Sequence, residues 1–373
     1  MNFMLTKEQE NFKMEVKELT EKYVTPFAAE NDKYSSFPKK SIEILSQNGI
    51  MGIPFEKKYG GLGLDNLTYI NAVEELSKGC ASTGVIMSAH TSLCSWPISE
   101  YGTEKQKEKY LTPLAKGEKI GAFGWTEAEA GTKTTAVRDV DSYIINGRKV
   151  LITNSHEASV FVVFAKTDFD NNKLSAFIVE KGTKGFSVGE AEEKMGVRGS
   201  STSELIFENC VVPKENLLGE EGKGFEIAMA TLNGGRIGVA AQAVGIAQGA
   251  LDAAVKYVKE RVQNGKRISQ FQNTQFVIAE LQTKIDAARL MTYRAANLKD
   301  LKENYGYMAS MAKLFASETA MEVTTKAVQL FGGNGYSKKY PVERMMRDAK
   351  VTEIYEGTSE VQKIVIANAL NIN

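Results

Sequence analysis

Tyr143-Ile144-Ile145-Asn146-Gly147-Arg148-Lys149-Val150-Leu151-Ile152-Thr153 marks where the chain changes character. It contains two short β-rich runs, Tyr143–Ile145 and Val150–Thr153. Between them lies Asn146-Gly147, the residue pair that best accepts the positive φ angles of a tight turn, so the stretch reads as a β-hairpin.

Working outward, the same β-rich character extends from about Lys119 to Val212. Val160–Ala165, Leu174–Val179 and Glu204–Phe207 read as further strands, and the polar tract Asp168–Lys173 reads as a hairpin loop. Towards the N-terminus the pattern is helical, beginning at a capping-box spacing from Thr6 to Gln9 and interrupted at Pro54 and Gly60-Gly61-Leu62-Gly63. After Gly224 the helical period returns. One stripe joins Ala240, Val244, Ala247, Leu251, Val255 and Val258, and a second joins Val277, Leu281, Ile285, Ala288, Ala295 and Leu298. A third begins at Met308, Met311, Phe315 and Thr319 and stops at Gly332-Gly333; Val361, Ile364 and Val365 suggest a fourth helix. The expectation is an α+β chain with an N-terminal helical domain (1–117), a middle β domain (118–223) and a C-terminal helical bundle (224–373).

Composition narrows the function classes. With 373 residues, 46 Lys plus Arg and 46 Asp plus Glu, no net field is available to hold nucleic acid or an anionic membrane, so anionic ligands must be held locally. Cys80, Cys94 and Cys210 form no CxxC pair, which argues against a disulfide framework and makes a reducing cytoplasm the expected compartment. Charged residues appear by Lys7, and no run approaches the roughly 18 apolar residues of a membrane span. The two histidines, His90 and His156, are not spaced as metal ligands and have no sequence partner for a triad. No metal is expected, and both histidines read as structural or surface residues. P-loop and Rossmann fingerprints are absent.

Two glycine clusters remain, Asn233-Gly234-Gly235-Arg236 and Phe331-Gly332-Gly333-Asn334-Gly335-Tyr336. Such clusters allow close backbone approach to a ligand, although helix termination explains them equally simply. Residue chemistry alone does not distinguish Glu356 from a solvated surface carboxylate.

Longer motifs add to this. Arg347-Asp348-Ala349-Lys350, with Thr352-Glu353-Ile354-Tyr355-Glu356-Gly357-Thr358-Ser359-Glu360, closely resembles the C-terminal signature of acyl-CoA dehydrogenases, and Ala327 to Tyr336 resembles their second signature. The likeness spans the chain, including Gly60–Gly63, Trp125-Thr126-Glu127, Ile152-Thr153-Asn154 and Leu232–Gly238, and is nearest to the short-chain, butyryl-CoA type. It implies a middle β-barrel-like domain, a C-terminal four-helix bundle and the oxidation of an acyl-CoA to a trans-2-enoyl-CoA. Glu356 would remove the α-proton, hydride would pass to FAD, and electrons would leave to an electron-transferring flavoprotein.

By the same carry-over, Thr126, Thr132 and Thr153 are implied flavin contacts, with Thr358 and Glu360 near the ribityl and phosphate portion. Arg261, Gln329, Gly332 and Gly333 would meet the flavin of a neighbouring subunit, implying a dimer or, more usually, a homotetramer. Asn233, Arg236, Tyr355 and Gly357 would lie on the substrate side, with Leu93 a further candidate for the pocket wall. Some relatives carry the base immediately before the arginine matching Arg236; this chain has Gly235 there, which favours Glu356.

Four departures stand out: no proline follows Glu127, Thr132-Lys133 replaces Ser-Asp, Leu151 stands where many members have an aromatic ring, and Asn264 replaces a phenylalanine. Asn233 likewise stands where some members have aspartate. Lys133 puts a positive charge where phosphate or thioester contacts are expected. Three alternatives follow from the same sites: a 2-enoyl-CoA reductase working with an electron-transferring flavoprotein, an oxidase or carrier-protein relative, and a flavin-free acyl-CoA or carrier-thioester binding homologue.

Overall fold

Thr6 starts the first helix as its spacing predicts. In the computed structural model, which describes residues 4–129 and 131–372, the Thr6 hydroxyl accepts from the Gln9 N–H (3.2 Å) and the Gln9 side chain accepts from the Thr6 N–H (2.9 Å). This reciprocal cap opens α1 (Lys7–Tyr23). Helix α2 (Asn66–Gly79), capped by Asp65, is buried along nearly its whole length because it lies between α1 and the long C-terminal helix α3 (Gly224–Glu260). Shorter helices and turns fill the rest of the chain to Ala115.

Eight strands follow: β1 (Ile120–Gly124), β2 (Thr135–Asp139), β3 (Ser142–Thr153), β4 (Ala158–Asp168), β5 (Lys173–Glu180), β6 (Phe186–Ala191), β7 (Thr202–Pro213) and β8 (Leu217–Leu218). Their order is β6-β7-β3-β2-β4-β5-β8, with β1 parallel to β4. Among the described residues Thr135 opposite Lys166 is the one pairing between β2 and β4, and one face of the sheet packs on a cluster that includes Ala122, Ile145, Phe161, Phe177, Leu205 and Phe207. The outer face of β4 and β5 packs through Val160, Val162, Phe164 and Ile178 on a second cluster with Leu93, Ile98, Tyr110 and Leu111.

The expected hairpin at Asn146-Gly147 does not form. Strand β3 runs unbroken through both residues, and the chain reverses earlier, between Asp139 and Ser142. Asn146 stands opposite Thr135, Gly147 pairs with Phe207 of β7, and the register shifts between Ile145 and Gly147. A Cβ on Gly147 would lie 2.6 Å from the Thr134 hydroxyl, so the glycine serves a bulge with a close neighbouring backbone rather than a turn. Strands β1, β2 and β6 lack a strong sequence signal; Gly121 and Gly124 dilute the first of them.

Helices α3, α4 (Gln272–Asp300) and α5 (Gly306–Phe331) bury most of their predicted stripes: Ala240, Val244, Ala247, Leu281, Ile285 and Met308 are all nearly solvent-free, whereas Val255, Val277, Leu298 and Met311 are half-buried and Phe315 is exposed. By length and composition α3 could cross a membrane, but 83% of its apolar window is buried within the protein. Helix α6 (Val342–Lys350) precedes α7 (Ser359–Ala369). The fourth stripe differs from expectation: Val361 and Ile364 are 39% and 59% exposed, and Ser359 and Gln362 are the buried residues of α7.

The three regions are tied together next to α6. Arg347 forms a bidentate pair with Asp32 (2.7 and 2.9 Å) and donates to the Met195 carbonyl (2.9 Å), while the Val197 N–H donates to the buried Asp348 carboxylate (2.6 Å).

Candidate active site

After α6, a single turn at Val351–Glu353 leads into Glu356 (φ 54°) and Gly357 (φ 92°), two successive left-handed residues, before Thr358 caps α7 by accepting from the Val361 N–H. A left-handed glutamate is uncommon and needs support from its surroundings. Gln362 provides some of it, its Nε2 donating to the Glu356 carbonyl (3.1 Å) and the Gly357 carbonyl (2.8 Å). Lys313 of α5 provides the rest, donating to the same Gly357 carbonyl (2.8 Å). On the other side, the Tyr355 hydroxyl donates to Gln242 of α3.

This turn points the Glu356 carboxyl into the protein. Glu356 as a whole is half-buried, but its Oε2 is shut off from solvent and meets no hydrogen-bond donor among the described residues. Burial pushes the carboxyl up to about 7, against the opposing pull of the Arg236 and Lys313 cations. The backbone N–H of Glu356 likewise donates to no protein acceptor among the described residues.

Gly235 accounts for the carboxylate's position. A Cβ there would lie 2.8 Å from Glu356 Oε2 and 2.7 Å from Leu93 Cδ2, both closer than van der Waals contact. Gly235, Leu93 and the Glu356 carboxyl thus meet at one point, and a side chain at position 235 cannot share that space with the carboxylate. One residue along, Arg236 is buried, and its Nη1 donates to Asn233 (2.8 Å) and Ser310 (3.2 Å). Arg236, Asn233, Tyr355, Gly357 and Glu356 are therefore assembled from α3 and the turn before α7.

The β-domain candidates form a second group. The Val150 N–H donates to the Thr126 carbonyl (2.9 Å), which places exposed Thr126 beside the end of β3, where Leu151 is 60% exposed at φ 58° and Thr153 is half-exposed. Glu127 holds the loop around them: it accepts from the buried Lys149 ammonium (2.6 Å), the Lys133 N–H (2.7 Å) and the Thr134 N–H (3.2 Å). Thr132 is half-exposed on that loop. The Lys133 side chain extends to solvent, 3.9 Å from Glu129. The two groups are connected because Leu93 and Trp125, the neighbour of Thr126, belong to one apolar cluster.

Four candidates are not brought to Glu356. Arg261 ends α3 and Gln329, Gly332 and Gly333 end α5, all exposed at one end of the bundle where Tyr257 stacks on Phe331 (4.0 Å). Open space surrounds the Cβ positions of Gly332 and Gly333. Glu360 is exposed on the first turn of α7. His90 is structural: it is fully buried, with Nδ1 accepting from the Gly121 N–H (3.1 Å) and Nε2 against the Leu114 carbonyl (3.1 Å), and burial lowers its pKa to about 4. No cluster of metal ligands occurs among the described residues. Sequence reasoning missed Lys313, Gln362 and Lys149, since nothing in their local context separates them from surface residues.

Three family descriptions match in order: acyl-CoA dehydrogenase N-terminal domain over residues 6–118, middle domain over 122–210 and C-terminal domain over 222–371. The chain is 57% identical to the short-chain specific acyl-CoA dehydrogenase of Clostridium acetobutylicum, covering 99% of this chain and 100% of that one. It is 48% identical to the acryloyl-CoA reductase (NADH) of Anaerotignum propionicum, covering 98% and 95%. Among solved structures, butyryl-CoA dehydrogenase from Megasphaera elsdenii aligns at a TM-score of 0.97 with 49% identity over 100% of both chains. A chain from work on the electron transferring flavoprotein of Acidaminococcus fermentans and flavin-based electron bifurcation aligns at 0.98 with 55% identity, again over 100% of both. With all three domains matched and relatives this similar along its length, the chain belongs to the acyl-CoA dehydrogenase family.

Proposed function

We propose that the chain oxidises a short-chain acyl-CoA, such as butyryl-CoA, to the trans-2-enoyl-CoA, with FAD as cofactor and an electron-transferring flavoprotein as electron acceptor. The observation that carries this reading is the Glu356 carboxyl: buried, without a hydrogen-bond donor at Oε2, and with its pKa near neutrality. A base with those properties has a free lone pair for the weakly acidic α-proton and an affinity for it suited to neutral pH. Its own N–H is available to the thioester carbonyl oxygen, where negative charge develops as the proton leaves. Arg236, held by Asn233 and Ser310, keeps a cation beside the carboxylate.

The residues of the β domain suit a flavin. Thr126 and Thr153 offer hydroxyls beside the outward-facing Leu151, and Glu127 with Lys149 fixes the intervening loop. FAD, when bound, supplies the hydride acceptor. Thr132 is a further flavin contact in this reading, with Thr358 and Glu360 near the ribityl and phosphate portion. The exposed Arg261, Gln329, Gly332 and Gly333 are then left for a cofactor held mainly by another copy, consistent with a homotetramer. The likeness to an acryloyl-CoA reductase supports a second reading, in which the same site works as a 2-enoyl-CoA reductase.

The test is to add butyryl-CoA anaerobically to the flavin-loaded protein and follow the visible flavin absorbance, with Glu356→Gln in parallel. Bleaching in the native protein and none in the variant supports the proposal. Protein that cannot be loaded with FAD would overturn it and favour a flavin-free binding homologue. Turnover of a 2-enoyl-CoA with reduced electron-transferring flavoprotein far exceeding butyryl-CoA oxidation would favour the reductase.

A further inference from the structure

We infer that Lys313 is a positioning residue for the Glu356 base, its buried ammonium clamping the Gly357 carbonyl so that the Glu356-Gly357 turn holds the carboxylate against Gly235. The inference rests on the reading of Glu356 as the base.

Lys313 lies midway along α5 and is 0% exposed, a rare state for a lysine unless its charge is matched. Among the described residues it forms no ion pair within 4.0 Å, and its one hydrogen bond goes to a neutral acceptor, the Gly357 carbonyl (2.8 Å). A buried charge on a neutral carbonyl is a poor stabilising device, since an apolar residue of similar size would fill the space without desolvating an ammonium. Its location suggests another use. The Gly357 carbonyl also accepts from Gln362, so two donors from different helices hold one peptide unit. That unit, Gly357–Thr358, follows the second of the two left-handed residues and pins the far end of the turn, while Gln362 also donates to the Glu356 carbonyl at its near end.

The charges acting on Lys313 are Arg236 on α3, Glu353 on the turn after α6, Glu356 itself and Glu360 on α7. Burial lowers the Lys313 pKa to about 8, and Arg236 pulls in the same direction. While charged, Lys313 and Arg236 both oppose the upward shift that burial imposes on Glu356. Lys313 would thus act twice on the base, through the geometry of the turn and through the pH at which the carboxyl ionises.

The experiment compares Lys313→Gln, Lys313→Met, Lys313→Arg and Gln362→Leu as flavin-loaded enzymes, measuring kcat, KM and the pH profile with butyryl-CoA, and flavin content and Tm as checks of folding. Lys313→Met should lower kcat by roughly ten- to a hundredfold with little change in KM, as expected when only the reacting geometry is disturbed. Lys313→Gln keeps a donor but no charge and should move the acid limb of the profile up by roughly one pH unit. Lys313→Arg should restore that limb, while Gln362→Leu should lower kcat and leave the limb in place. If Lys313→Met does not fold, Lys313→Gln and Gln362→Leu decide the matter on the same readouts. Folded Lys313 variants with native kcat and an unmoved acid limb, beside an inactive Glu356→Gln, would overturn this inference alone; an active Glu356→Gln would overturn the reading of the base beneath it.

Discussion

Gly235→Ala separates the geometry of the base from the stability of the helix that carries it. The new methyl would sit 2.8 Å from Glu356 Oε2, 3.2 Å from its Cδ and 2.7 Å from Leu93 Cδ2. Relaxed contacts of this kind lie near 3.5–4.0 Å, so the carboxylate or the leucine must retreat by roughly 1 Å. Alanine in mid-helix contributes about 0.5–1 kcal/mol relative to glycine, and crowding costs about 1–3 kcal/mol, so the two largely offset each other and Tm should change little. Catalysis has no such offset. A 1 Å displacement of a reacting group lowers the rate by about a hundredfold, or about 2.7 kcal/mol of barrier. The assay is butyryl-CoA oxidation with an artificial electron acceptor, alongside thermal unfolding. Gly234→Ala is the matched control, because its methyl would meet the end of Lys299 at 3.1 Å and the Tyr305 hydroxyl at 4.0 Å, not Glu356, and should leave kcat within a few-fold of native. A folded Gly235→Ala enzyme with native kcat would refute the placement of the carboxylate against this glycine.

The remaining predictions concern charge and strain. The Glu356 carboxyl goes from an ordinary 4.5 to about 7 on folding, so the folded state binds its proton more tightly; this contribution is fully present below 4.5 and lost as pH rises through 7. Glu356→Gln should therefore stabilise the protein above pH 7, by about 3 kcal/mol, and be near neutral in acid, as read from Tm against pH. Lys149→Met leaves Glu127 buried without its cation, the two side chains being 0% and 7% exposed, and should cost about 3–5 kcal/mol in denaturant unfolding. Adding Glu127→Gln should recover much of that loss, because no charge then remains buried; no recovery would mean that the pair acts through packing alone. Leu151→Gly removes a left-handed leucine that is largely exposed, so flavin-free Tm should hold or rise, with strain relief of about 1 kcal/mol. If the leucine packs on the flavin, FAD should leave the variant faster than the native protein, as seen by filtration and absorbance.

Much of the fold was legible because periodicity is local. The stripes of α3 and α4 and the runs in β4 and β5 announce their own burial. Asn146-Gly147 misled because the same dipeptide suits a turn and a bulge, and only the pairing of β3 with both β2 and β7 separates them. Glu356 was legible through a long motif rather than through its own chemistry, since its burial depends on Gly235, far away in the sequence. Lys313 was not legible at all. In Met311-Ala312-Lys313-Leu314-Phe315 it resembles a solvated helix position, and its partner carbonyl lies 44 residues downstream.

Backbone strain shows how the site is held together. Most described non-glycine residues with positive φ are asparagine, serine or lysine, types common in turns; the bulky or functional exceptions are Leu151, Val197 and Glu356. Val197 has a structural reason: its N–H reaches the buried Asp348 carboxylate, and a Cβ on its neighbour Gly196 would lie 2.3 Å from the Arg347 carbonyl. That contact locks the β domain onto α6, just upstream of the turn that carries Glu356. Leu151 and Glu356 are strained at the edges of two different domains, one facing solvent and the other presenting an oxygen that no donor meets among the described residues. Strain of this kind persists only where the surrounding structure over-determines it. For Glu356 the determinants are Gln362 and Lys313; the β domain is held to α6, just upstream, by the Val197–Asp348 and Arg347–Met195 contacts. Those contacts touch neither Glu356 nor Leu151, yet they join the elements that carry the two strained residues.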